Sequence, residues 1–146
     1  MPVRTILAVV VLMASCLAQT APSGSGANST FQDQIQEAKS RIKEMSPEQY
    51  QALASSKEKF TLIDVREDSE WAGGRAAGAL HISRGTLEKN IESAVPRKNA
   101  KVILYCHSGN RSALAADTLQ KMGYSNVYSL AGGFAAYQKL GLPVEK

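Results

Sequence analysis

The chain has only two cysteines, Cys16 and Cys106, among 146 residues. Two cysteines 90 positions apart do not make the multi-bridge framework of a small secreted scaffold. No CxxC or HxxxH spacing occurs, and the two histidines, His81 and His107, are well separated. Adjacent Cys106 and His107 would chelate a metal badly, so the sequence implies neither a metal site nor a cofactor. Aromatic residues are scarce, at 6%, and do not interleave with a basic stripe. The 17 Lys and Arg residues are scattered among 13 acidic ones, leaving a net charge of +4. That pattern describes a solvated mixed surface and argues against a nucleic-acid partner. No internal repeat is present. No apolar run reaches the roughly 20 residues of a membrane span.

The longest apolar run is short and lies at the very start. Arg4 gives a charged beginning, Ile6 to Ala14 form "ILAVVVLMA", and the small residues Ser15, Cys16 and Ala18 follow. This is the layout of a secretory signal, read here over residues 1–18. Two cuts fit. One lies before Cys16, where "LMASC" resembles a bacterial lipobox and Cys16 would take the lipid, although Met13 stands where leucine is usual. The other lies after Ala18. The lipoprotein form is slightly preferred. The chain is thus expected to be exported, either free in a bacterial periplasm or membrane-anchored facing it. Residues 19–30, rich in Pro, Gly and Ser, read as a flexible tether. With Cys16 removed or lipidated, Cys106 is the only free thiol, and it is either a reactive group or a small core residue.

The remainder alternates between element types. Phe31, Ile35, Ala38, Ile42 and Met45 recur at steps of four and three, predicting an amphipathic helix over 31–45 that docks on the domain. Ser46-Pro47 with Gln49 resembles a helix start, and that helix runs to about Ser55. Short apolar strands are expected at 60–64, 78–83, 101–106 and 126–130, with helices at 86–93, 112–122 and 134–140. This is a small α/β domain over 46–146 with a mainly parallel sheet.

The strongest strand, "KVILYC", ends at Cys106, and a helix is expected to open at Ser112. Between them lie His107, Ser108, Gly109, Asn110 and Arg111. In parallel α/β sheets ligands bind beyond the carboxyl ends of the strands. A tight loop running into a helix N-terminus turns amide N–H groups inward and makes an anion cradle. Gly109 permits the unusual backbone angles of such a turn. A thiol there ionises more readily than a free cysteine, and the thiolate is the nucleophile. These residues point to a cysteine nucleophile acting on an oxyanion-bearing substrate.

Three stretches in order, "LIDVRE" (62–67), "EWAGGRAAGALHI" (70–82) and "ILYCHSGNRSALAADTLQKMGYSNVYSLAGGFAAY" (103–137), resemble the single-domain rhodanese family of sulfurtransferases. The resemblance covers about Ser46 to Pro143. It implies a five-stranded parallel sheet with helices on both faces. It implies that Cys106 carries a sulfane sulfur as a persulfide, with His107, Ser108, Gly109, Asn110 and Arg111 as the substrate-binding loop. Arg111 would help hold an anionic donor, and Asp64 and Arg66 would support the site through charged hydrogen bonds. A small anionic sulfur donor such as thiosulfate, a thiol or cyanide acceptor and a monomeric state follow from the same likeness. Cys106 to Arg111 is Cys-x4-Arg, the sulfurtransferase spacing. Related dual-specificity phosphatases resemble Cys-x5-Arg, and Ser112 occupies the place that pattern needs. A cysteine phosphatase and a non-catalytic rhodanese-type binding module are the alternatives. The frequent "GHIPGA" of the family reads "GRAAGA" here, at 74–79. Gly132-Gly133 are read as a turn needing positive φ, and His81 as structural.

Overall fold

The computed structural model describes residues 29–146. The signal segment, Cys16 and the tether up to residue 28 lie outside the described residues. The elements are α1 (Phe31–Arg41), β1 (Lys43–Met45), α2 (Pro47–Ala54), β2 (Thr61–Asp64), α3 (Asp68–Ala72), β3 (Arg75–Ala76) and β4 (Leu80–His81). After a 3-10 turn at Arg84–Thr86 come α4 (Leu87–Ala94), β5 (Val102–Tyr105), α5 (Asn110–Lys121), β6 (Val127–Leu130), α6 (Gly133–Lys139) and β7 (Val144–Glu145). Five strands form one parallel sheet in the order β1-β6-β5-β2-β4, and β3 pairs antiparallel with β7.

Strand β5 is central and fully buried, because helices cover both of its faces. Val102 and Leu104 face a cluster with Leu87 and Ile91 of α4 and Ala115, Ala116 and Leu119 of α5. Ile103 and Tyr105 face the other cluster, with Tyr50 and Leu53 of α2 and Phe134 and Tyr137 of α6. Residue alternation along β5 therefore puts Cys106 on the α5 side and Tyr105 on the α6 side.

The expected helix over 31–45 is corrected. It stops at Arg41, Ile42 is extended (φ −94°, ψ 170°), and Lys43–Met45 pair with Tyr128–Leu130 as the edge strand β1. Ile42 and Met45 share a face at helical spacing, but here they pack into the clusters on opposite sides of the sheet. Three residues apart in a strand means opposite faces. The unpaired edge of β6 overrides the local pattern. The rest of α1 docks as expected. Ile35 and Ala38 are buried, and Arg41 binds Asp117 of α5 with Nε to Oδ1 at 2.8 Å and Nη2 to Oδ2 at 2.9 Å. Among the described residues no helix is long and apolar enough to cross a membrane.

The docking bond has a pH signature. Hydrogen bonds from Arg41 hold the Asp117 carboxyl down at about 2, from an ordinary 3.8. A depressed carboxylate stabilises the fold above its unfolded value and stops doing so as the pH falls through its folded value. Asp117→Asn is therefore expected to lower the urea midpoint at pH 7. The difference from wild type should vanish as the pH falls from about 4 towards 2, and a difference that persists there would show that Asp117 acts through something other than its charge.

Candidate active site

Cys106 follows the last residue of β5 directly, so its position is set by the most deeply buried strand of the sheet. The loop after it is very short, because α5 begins at Asn110. This is two residues earlier than expected. Asn110 and Arg111 are thus first-turn residues of the helix, and the true loop is His107, Ser108 and Gly109. Gly109 is the residue before the helix and adopts φ 97°, a left-handed conformation. That turn brings its N–H to 3.1 Å from Cys106 Sγ. His107 and Ser108 are exposed at the rim, whereas Cys106 is 1% exposed. The α5 N-terminus, with its unpaired first-turn N–H groups, abuts the sulfur and favours negative charge there.

Helix α6 orients the loop from behind. Phe134 N–H donates to the Cys106 carbonyl at 2.7 Å, and Ala135 N–H donates to the His107 carbonyl at 3.1 Å. In a planar trans peptide the N–H points opposite to the C=O. The N–H groups of His107 and Ser108 are consequently directed away from α6. This close approach explains Gly133 better than its turn conformation alone. A Cβ on Gly133 would lie 2.5 Å from the Cys106 carbonyl oxygen and 2.6 Å from that of His107. Gly133 is therefore a contact residue of the loop as well as a turn residue.

Two buried hydroxyls complete the sulfur's surroundings, and sequence reasoning missed both as site residues. Ser112 Oγ lies 3.6 Å from Cys106 Sγ and 2.8 Å from Ser129 Oγ. Both serines are fully buried. Among the described residues Ser129 Oγ has no other hydrogen-bond partner. If Ser112 donated to Ser129, the Ser129 proton would be buried without an acceptor, which is costly. The chain of donors therefore runs from Ser129 to Ser112 to the sulfur. Ser112 was read from the sequence only as the opening residue of the helix. Ser129, 17 residues away on β6, carries no local signal.

The charged residues form two ion pairs. Asp64 and Arg66 do meet: Arg66 Nη2 lies 2.6 Å from Asp64 Oδ2, and the same nitrogen donates to the Gly74 carbonyl at 2.8 Å. The pair is buried on the α6 side, opposite the Cys106 side chain. The Arg66 guanidinium sits 4.3 Å from the Phe134 ring centroid, a cation–π contact. Phe134 in turn donates its N–H to the Cys106 carbonyl. Arg111 turns to Glu70 of α3, with Nη1 to Oε2 at 2.7 Å and Nη2 to Oε1 at 2.8 Å. The Arg111 guanidinium holds the Glu70 carboxyl down at about 2. Glu70 was not singled out from the sequence, since one acid in an acidic stretch has no distinguishing spacing. His81 is structural, bonded through Nε2 to the Arg66 carbonyl at 2.9 Å and stacked on Trp71.

The family model for the rhodanese-like domain matches residues 46–140. Thiosulfate sulfurtransferase GlpE of Pseudomonas entomophila is 36% identical over 99 residues, covering 68% of this chain and 87% of that protein. A putative sulfur carrier protein of Bacillus subtilis, YrkF, is 34% identical over 94 residues, covering 64% of this chain. The match spans only half of that relative's length. Among solved structures, a Rhodopseudomonas palustris protein of unknown function, described as a possible tyrosine phosphatase, superposes with a TM-score of 0.70 at 30% identity. The match covers 82% of this chain and 96% of that one. A rhodanese-like domain from Anabaena gives a TM-score of 0.65 at 25% identity, covering 70% and 77%.

The hydroxyl relay makes a specific demand. Ser129→Ala should slow alkylation of Cys106 by iodoacetamide at neutral pH by roughly fivefold, the equivalent of one ordinary hydrogen bond of about 1 kcal/mol. An unchanged rate would mean that Ser112 orients its proton without help from Ser129.

Proposed function

The chain belongs to the rhodanese family, and on that premise we propose that it transfers sulfane sulfur through a persulfide on Cys106. The observation that carries this reading is the Gly109 N–H aimed at Cys106 Sγ from 3.1 Å, in a Cys-x4-Arg loop that opens directly into α5. The thiolate attacks the outer sulfur of a donor such as thiosulfate. The donor's S–S bond breaks, sulfite leaves with the electron pair, and Cys106 keeps the outer sulfur as a persulfide. Cyanide or an acceptor thiol then attacks that outer sulfur. The Cys106–sulfur bond breaks and the thiolate is regenerated, so no external oxidant or reductant is needed. Loop amides, the α5 N-terminus and the Ser112 hydroxyl stabilise negative charge at both stages.

A phosphatase is the second reading, prompted by the description of the Rhodopseudomonas palustris relative. Phosphoester cleavage needs a guanidinium free to grip the phosphoryl group. Here both terminal nitrogens of Arg111 are engaged by Glu70, and the residue after Arg111 is buried Ser112. Both features favour sulfur transfer.

The expected outcome is thiocyanate formation from thiosulfate and cyanide that disappears in Cys106→Ser, with no phosphoester turnover that depends on Cys106. Cys106-dependent release of phosphate without thiocyanate formation would reverse the assignment. We further propose that the protein is exported to a bacterial periplasm as a monomer, with Cys16 lipidated. Analysis of the mature N-terminus checks this: a chain beginning at lipidated Cys16 supports the anchor, and one beginning at Gln19 supports a freely diffusing form.

A further inference from the structure

A site that captures small anions is expected to offer a free cation at its mouth. This one does not. Both arginines that converge on the cradle end of the sheet are bound in two-pronged fashion by carboxylates, Arg66 by Asp64 and Arg111 by Glu70. From Cys106 to Ser112 the chain has no other permanently charged side chain. Glu70 is ionised at any working pH, since its carboxyl is held at about 2. Glu67 and Asp68, three and two residues before it, are exposed acids, and Glu67 adds to the negative field felt by Arg111. The pull on an anion therefore comes from backbone N–H groups and the partial positive charge of the α5 N-terminus, about half an elementary charge. Glu70 removes the attraction that Arg111 alone would add, because the paired groups carry no net charge. The attraction so removed is proportional to the charge of the incoming donor.

We propose that Glu70 is a specificity-determining residue, which cancels the charge of Arg111 at the mouth and favours sulfane donors bearing one negative charge over dianionic thiosulfate. The donor class that fits is organic: a thiosulfonate, or a persulfide whose sulfane sulfur is attached to carbon-bound sulfur. With a thiosulfonate the Cys106 thiolate attacks the terminal sulfur, the S–S bond breaks, and a sulfinate leaves with the electron pair. The persulfide on Cys106 is the same as with thiosulfate. The inference rests on Cys106 being the sulfur acceptor and adds which donors reach it. Glu70 need not touch the donor. It acts through Arg111 and through the field at the rim.

Methanethiosulfonate and thiosulfate form a matched pair, differing in a methyl group for a charged oxygen. The experiment measures kcat/KM for both donors, with cyanide as the common acceptor, in the wild-type chain and in Glu70→Gln, Arg111→Gln and the double variant. Glu70→Gln should raise kcat/KM for thiosulfate roughly tenfold more than for methanethiosulfonate, the effect of one extra donor charge at intermediate dielectric. Arg111→Gln leaves Glu70 unpaired, so it should depress thiosulfate more than methanethiosulfonate. The double variant should restore the donor ratio. If Glu70→Gln changes both donors by the same factor, Glu70 merely positions Arg111 and the proposal is overturned. Salt dependence gives a second reading: thiosulfate should lose ground to methanethiosulfonate with rising ionic strength more steeply in Glu70→Gln than in the wild type, because only the variant leaves Arg111 uncompensated. Equal salt slopes in the two proteins also overturn the proposal. If neither donor yields thiocyanate with the wild type, the sulfur-transfer reading fails first and this inference falls with it.

Discussion

The site depends on one close approach: the backbone of α6 lies directly against the backbone of Cys106 and His107. Phe134 and Ala135 donate to the carbonyls of Cys106 and His107, and only a residue without a Cβ can stand at Gly133 between them. Tying those carbonyls to α6 fixes the two peptide planes. It leaves the other side of the same planes presenting donors. The cradle is thus a consequence of where its acceptors are held. An electrostatic site of this kind needs no reorganisation when negative charge arrives, which is the property that stabilises charged intermediates.

The rest of the molecule can be understood as holding that contact. Strand β5 delivers Cys106 from the middle of the sheet, where burial on both faces leaves it no freedom. Helix α5 starts two residues past the exposed loop, and α1 clamps its far half through Ile35, Ala38 and the Arg41–Asp117 bonds. On the opposite face the Arg66–Asp64 pair is buried against Phe134 and Tyr105. Breaking a buried pair by removing one partner is far worse than never having had it. The pair therefore constrains α6, and α6 constrains the loop.

Much of this was legible in the sequence because it is written locally. The apolar run before Cys106, the Gly-containing turn and the Ala/Leu pattern after it determine strand, loop and helix without reference to the rest of the chain. The count of four residues from Cys106 to Arg111 is also local, and through the family resemblance it implies sulfur rather than phosphate. What escaped is non-local. Lys43–Met45 has a helix-compatible pattern and becomes a strand only because β6 offers an unpaired edge. Ser129 reaches the site only through β6 packing against α5. Glu70 matters only because Arg111 turns to meet it. In each case the deciding partner lies 17 to 85 positions away, beyond the reach of periodicity or capping rules.

The central claim is that this cradle makes Cys106 the residue that accepts sulfur. Its most direct test is the intact mass of the full chain after exposure to a sulfane donor with no acceptor present. The account predicts a gain of one sulfur atom on the wild-type protein, lost on addition of cyanide and absent from Cys106→Ser. An equal gain on Cys106→Ser, or none on the wild type with either thiosulfate or methanethiosulfonate, would contradict it.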